Sequence, residues 1–304
     1  MFRKPLVLLA PLLAALLLPG TAEAKRTHAR THRRKPEPAA EPSATPVQPA
    51  APLAPGELPL AAKGVMVIDA LTGEELYQKN QEQPFYPAST TKILTALLVI
   101  ESGNLDQEVV VAPEDTKVEP TSLEMKPGEK YTRRQMLYGM MLKSANDVAM
   151  ALARDNAGSV EAFAEKMNRR ARELGATSSH FVNPNGLHNK DHFTTPHDLS
   201  LIARAAMEQP FFRRLVSTET YPWPAVSGTV ELKNHNKLLW QYPGCTGLKT
   251  GYTVPAQQVL VSSALRDGRE VISVVMHTDK PGIWEDSKLL LTYGLAHVRS
   301  LSPG

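Results

Sequence analysis

The chain has 304 residues, a formal net charge of +3, 25 prolines and a single cysteine. That length admits one sizeable folded domain, and the lone Cys245 excludes an internal disulfide framework, so stability has to come from core burial. Charge is close to balanced, 34 Lys+Arg against 31 Asp+Glu, which argues against a nucleic-acid-binding protein.

Arg3 and Lys4 precede an apolar run, Leu6 to Leu18, which Pro19-Gly20 break; Ala22-Glu23-Ala24 then gives a small-x-small cleavage site. Residues 1–24 therefore read as an export signal. The run is shorter than the roughly 20 apolar residues a bilayer span needs. Residues 25–59 are basic at first (Lys25, Arg26, Arg30, Arg33, Arg34, Lys35), then rich in Pro and Ala, with almost no large apolar residue. Such a segment is expected to be a disordered, semi-rigid tether. Its basic cluster is either a solvated tail or a weak electrostatic contact to anionic lipid or wall polymer, while nucleic acid is not expected as a partner.

Residues 60–304 read as one domain. "KGVMVIDALTGEELYQKN" predicts a β-rich apolar run, a Thr-Gly turn and a second short strand. Helical periodicity follows over 89–102, 132–143 with Thr132 as N-cap, 146–157, 159–174 with Gly175 as stop, and 196–208. "QQVLVSSALRDGREVISVVMHT" predicts a hairpin turning at Asp267-Gly268, and a last amphipathic helix covers about 285–296. Strands at both ends with helices between predict an α/β (α+β) fold: one antiparallel sheet of early and late strands, with a helical region inserted. The cleft between the two is where a site is expected.

Three short motifs carry chemistry. In "YPASTTKILTALLVIE", Lys92 lies one turn after Ser89 on the face of a predicted helix start, where the helix field opposes a cation. A serine hydroxyl needs an adjacent base, and a lysine serves only when partly neutral, which burial and the helix terminus both favour. Ser89 is equally placed to be a helix N-cap with Lys92 solvated. In "LKSANDVAMALA", Ser144 and Asn146 lie between two helical segments, positioned to relay a proton and to hold Lys92, or to cap the second helix. In "GCTGLKTGYTVPAQQVLVSSA", Lys249, Thr250 and Gly251 fall on a predicted edge strand. Lys249 and Thr250 could bind a carboxylate, Gly251 would let a substrate backbone lie close, and the Tyr252 N–H could join that of Ser89 as an oxyanion hole.

The ordered set Ser-x-x-Lys, Ser-x-Asn, Lys-Thr-Gly resembles that of penicillin-binding proteins and class A β-lactamases. Together with "LVIESGNLDQEVVVAPED", "EMKPGEKYTRRQMLYGMMLKSANDVAMALA", "FVNPNGLH" and "TTPHDLSLIARAAM", it makes residues 61–297 similar to the low-molecular-mass penicillin-binding proteins, the serine-type D-alanyl-D-alanine carboxypeptidases. The resemblance implies a β-lactamase/transpeptidase-like fold and a periplasmic or wall-facing location. It also implies peptidoglycan stem peptides as substrate, β-lactams as covalent inhibitors, and no metal or organic cofactor. Carried over by motif, Ser89 is the acyl-accepting nucleophile and Lys92 its proton acceptor. Ser144 relays protons, Asn146 organises the site, and Lys249 and Thr250 receive the terminal carboxylate. His188 and His192 lack a convincing zinc ligand set and are read as loop residues.

The sequence departs from the family in four places. Ala145 replaces the usual Gly, and Gln257 follows Ala256 where an Ala-Gly pair is usual, which is expected to re-line the cleft floor. Ile283 and Trp284, with Lys280 nearby, stand where many relatives carry a carboxylate-binding arginine. No β-rich second domain or amphipathic anchor follows, so a soluble mature protein is expected. Two other functions compete with carboxypeptidase activity: a DD-endopeptidase cutting D-Ala cross-links, and a non-catalytic peptidoglycan-binding relative. A β-lactamase is disfavoured because no Glu-x-x-Leu-Asn-type segment supplies a deacylating base.

Overall fold

The computed structural model describes residues 57–118 and 120–298; the expected export signal, and the expected tether as far as residue 56, lie outside the described residues. Leu58 is already buried, its N–H donating to the Tyr77 hydroxyl at 3.1 Å. The apolar run forms strand β1 (Gly64–Asp69), which turns back into β2 (Glu75–Lys79). The Asp69 carboxylate holds the turn by accepting from the Leu71 and Thr72 N–H groups at 2.7 and 3.1 Å.

Helix α1 (Lys92–Glu101) and the short strands β3 (Glu108–Val110) and β4 (Lys130–Thr132) lead into α2 (Arg133–Lys143), α3 (Asn146–Ala157) and α4 (Val160–Glu173). The expected start of α2 is confirmed by a capping box. The Gln135 N–H donates to Thr132 Oγ1 at 3.2 Å, and Gln135 Oε1 accepts from the Thr132 N–H at 2.8 Å. Ser159 caps α4, and Gly175, at φ +87°, follows its end as expected.

Next come α5 (Pro196–Met207), α6 (Pro210–Ser217), the ribbon β5 (Thr220–Ala225) and β6 (Gly228–Lys233), and the single turn α7 (Leu238–Gln241). Strands β7 (Cys245–Thr253), β8 (Gln257–Arg266) and β9 (Arg269–Thr278) and helix α8 (Gly282–His297) complete the domain. Asp267 and Gly268 both have positive φ, +51° and +73°, as a type I′ hairpin turn requires.

The main sheet is antiparallel in the order β2-β1-β9-β8-β7, so early and late strands meet as the sequence predicts and β7 is an edge. Both faces are covered. Met66, Ile68, Val261, Val274 and Met276 point into the core shared with α1 to α6, while Val65, Val67, Leu260, Val271 and Val275 point into a second core closed by α8. This strict alternation explains why the strands read as continuous apolar runs. Among the described residues, no helix is long and apolar enough to cross a membrane.

Candidate active site

Ser89 does not start an α-helix. It sits in a 3-10 turn, Ala88–Thr91, ahead of α1, and its hydroxyl caps nothing; the expected helix start at 89 is corrected to Lys92. Ala88 is held at φ +47°, a left-handed conformation that is costly for a residue with a Cβ. Two glycines brace the turn. A side chain at Gly186 would overlap the Ala88 carbonyl oxygen, and one at Gly251 would lie 2.8 Å from the Ser89 nitrogen. The turn thus aims a half-buried Ser89 into the cleft.

Lys92, the first residue of α1, is fully buried with no acid in the helix's first turn. Its Nζ lies 2.8 Å from Asn146 Oδ1, 2.6 Å from the Asn185 carbonyl oxygen and 3.0 Å from Ser89 Oγ. Burial holds the lysine pKa well below its ordinary value; the charge of Lys249 adds to this and that of Asp147 opposes it. Two of the three neighbours, a carbonyl and an amide oxygen, can only accept. A neutral lysine therefore donates to those two and presents its lone pair to the Ser89 hydroxyl.

Ser144 ends α2 as a left-handed residue, φ +63°, so the chain turns sharply and α3 begins at Asn146. The N-cap position of α3 is Ala145, and Asn146 Oδ1 accepts from Lys92. Beneath it Asp147, also buried, accepts from the N–H groups of Leu123, Met125 and Val148, pinning the segment that walls the cleft. Desolvation raises the Asp147 pKa, although those backbone bonds oppose the rise.

Lys249 lies on edge strand β7. It is 1% exposed rather than solvated, its Nζ donates to the Thr250 carbonyl oxygen at 3.0 Å, and burial lowers its pKa to about 7. The missing side chain of Gly251 makes room for the Ser89 turn, with Pro87, Ala88 and Ser89 atoms filling that space. Ser89, Ser144, Thr250, Gly251 and Tyr252 line one cleft of about 350 Å³, together with Thr121 and Trp284.

The predicted re-lining by Gln257 does not occur. Its side chain turns back to the Val254 carbonyl oxygen, and the neighbouring Gln258 lines the cleft instead. Ile283 and Trp284 do line it. Sequence reasoning missed Asn185, whose carbonyl grips Lys92; the detectable signal was the turn-forming Pro184-Asn185-Gly186 inside "FVNPNGLH". It also missed His235, on the rim of the cleft. His192 lies in a loop, as expected, and it also holds that loop in place. Buried, it accepts from the Val182 N–H at its Nδ1 (3.1 Å), so its Nε2 carries the proton toward Thr91 Oγ1 at 2.8 Å. Among the described residues no cluster suited to a metal ion occurs. Cys245 is half-buried and burial raises its pKa to about 11, which leaves the thiol unreactive at neutral pH. A second Ser-x-Asn, Ser102-Gly103-Asn104, sits at the far end of α1, remote from Lys92.

Residues 49–280 match the peptidase S11 family, D-alanyl-D-alanine carboxypeptidase. The chain belongs to that family. It is 36% identical over 259 residues to D-alanyl-D-alanine carboxypeptidase DacB2 of Mycobacterium tuberculosis, covering 82% of this chain and 87% of the relative. Identity to a D-alanyl-D-alanine carboxypeptidase of Streptomyces sp. (strain K15) is 37% over 257 residues, 78% of this chain and 88% of that one. The fold also superposes on the crystal structure of a D-alanyl-D-alanine carboxypeptidase from Mycobacterium tuberculosis with a TM-score of 0.77, at 36% identity, covering 84% of this chain and 97% of that one. The serine-type D-alanyl-D-alanine carboxypeptidases are hydrolases, and the β-lactamase/transpeptidase-like sheet and inserted helices described above are theirs.

Proposed function

We propose that this protein removes the terminal D-Ala from peptidoglycan stem peptides through an acyl-enzyme on Ser89. The observation that carries this is the buried Lys92 Nζ, held by two acceptor-only oxygens and 3.0 Å from Ser89 Oγ. Ser89 Oγ attacks the carbonyl of the penultimate D-Ala as its proton passes to Lys92. The N–H groups of Ser89 and Tyr252 hold the developing oxyanion. Lys249 and Thr250 receive the terminal carboxylate, whose negative charge raises the Lys249 pKa and keeps it cationic once substrate is bound. Ser144 carries the proton from Lys92 to the leaving amine, Asn146 keeps Lys92 in place, and free D-Ala departs. Water then hydrolyses the Ser89 ester, with Lys92 again the base; the C–Oγ bond breaks, Ser89 Oγ regains a proton and the shortened peptide leaves as its carboxylate. Penicillins, mimics of the D-Ala-D-Ala end, acylate the same oxygen. The signal-like residues 1–24 and the wall chemistry of the family support a periplasmic or wall-facing site of action.

Mass spectrometry of pentapeptide monomers and cross-linked muropeptide dimers, after incubation with the purified protein, tests this. Loss of one D-Ala from the monomers with dimers intact is expected. Dimers falling to monomers would make it an endopeptidase instead. In parallel, Ser89→Ala should abolish covalent penicillin labelling, and label persisting on the same peptide would remove Ser89 as nucleophile.

A further inference from the structure

Beside the cleft lies a second, larger basin of about 800 Å³. Four lysines line it, Lys143, Lys233, Lys237 and Lys280, along with His235 and Trp240, and no aspartate or glutamate does. Among the described residues none of the four lysines is in an ion pair. Aromatic rings set two of them in place: Lys233 Nζ stands 4.6 Å from the Trp240 ring centre, and Lys237 Nζ 5.7 Å from that of Trp284. The acid bonded to a lining residue, Glu219, accepts from Trp240 Nε1 at 2.8 Å. Unpaired like charges gathered in one concavity repel each other, and an anionic occupant relieves that repulsion.

The basin adjoins the cleft. His235 lines both, and Trp284, which lines the cleft, carries Lys237 on its face. At more than twice the volume of the cleft, the basin exceeds what a single terminal carboxylate fills. We propose that this lysine basin is a polymer-binding subsite: it takes the carboxylates of neighbouring stem peptides on the same wall strand while one peptide end occupies the cleft. This rests on the stem-peptide reading above. It implies that the enzyme prefers polymeric wall over free peptides, and that the preference is electrostatic.

The test compares the full chain with the double variant Lys233→Gln, Lys237→Gln on insoluble peptidoglycan stripped of phosphate polymers and on a soluble pentapeptide. On the polymer, KM should rise about fivefold at low salt, the cumulative effect of two modest surface charges, and the salt sensitivity of KM should weaken relative to the parent. KM and kcat on the pentapeptide, and penicillin acylation, should stay as in the parent. A parallel loss on the pentapeptide would reduce the basin to part of the terminal-carboxylate site and overturn the proposal. Unchanged KM on the polymer would overturn it as well. So would a lysine-dependent preference seen only on wall that still carries its phosphate polymer, because the ligand would then be phosphate. A parent that labels with penicillin yet releases no D-Ala from the pentapeptide would instead count against the carboxypeptidase reading.

Discussion

At Lys92 a charge that water would stabilise has been moved into the protein interior, and the consequence is chemical. Burial and the field of Lys249 both favour the neutral amine, and the fixed acceptors Asn146 Oδ1 and the Asn185 carbonyl orient its lone pair. A base of this kind works once deprotonated, so acylation should rise as pH climbs through the depressed pKa of Lys92 and then level off. Stopped-flow acylation by a chromogenic β-lactam across pH checks this. Lys92→Ala should remove that limb and slow acylation by about 10²- to 10⁴-fold, the usual range for a general base. A variant with the parent's pH profile would show that another group takes the proton. Ser89, Lys92, Ser144, Asn146 and Lys249 were all legible as sequence motifs, because each has a short spacing that local chain geometry brings together. Asn185 was not, because it acts through its backbone carbonyl and is 93 residues from Lys92.

At the level of elements, the site depends on how closely β7 approaches the 3-10 turn carrying Ser89. Gly251 sets that distance. An added Cβ would stand 2.8 Å from the Ser89 nitrogen and 3.1 Å from both Ala88 Cβ and the Pro87 carbonyl oxygen, and backbone atoms do not yield as a flexible side chain does. Gly251→Ala should therefore lower stability by about 1–3 kcal/mol and slow acylation by up to about 10²-fold through displacement of the nucleophile. Calorimetry and penicillin labelling on one sample check both, and a variant that melts and labels like the parent would show that the turn has slack. The elements themselves were readable wherever a local rule decided them, as with the Thr132 capping box or the Asp267-Gly268 turn. The β5–β6 ribbon was hidden because Pro222 and Pro224 argue against a strand. A ribbon of two strands, with no third partner to supply, tolerates the missing donors. Helix α6 follows α5 after two residues and merges with it in any periodicity count.

For the whole molecule, the groups that make the site also tilt its stability with pH. His192 is held neutral, its pKa lowered by burial to about 3, and it ties the segment at Val182 to Thr91, the residue before Lys92. The unfolded chain protonates a histidine near pH 6.5. Between about pH 6.5 and 3 the unfolded state therefore binds more protons, and stability falls as pH falls. Lys249 extends the same slope upward: with a folded pKa of about 7 against 10.5 unfolded, it makes the protein gain stability as pH rises from about 7 to 10.5, and Lys92 acts in the same direction. Buried Asp147, its pKa raised, works the other way near its own titration. The expected outcome is a stability maximum on the alkaline side, unlike the usual one between about pH 5 and 8. Lys249→Met should show where the slope comes from. With the buried amine replaced by an apolar chain of similar length, stability at pH 7 and below should rise by a few kcal/mol, and the gain should shrink toward zero near pH 10.5. Hydrolysis of peptides ending in a free carboxylate should collapse in the same variant. Denaturant unfolding of parent and variant from pH 5 to 10 measures this directly. Parallel curves would mean that Lys249 is accommodated at no energetic cost, whereas converging curves would show that its buried amine is maintained at the expense of the fold.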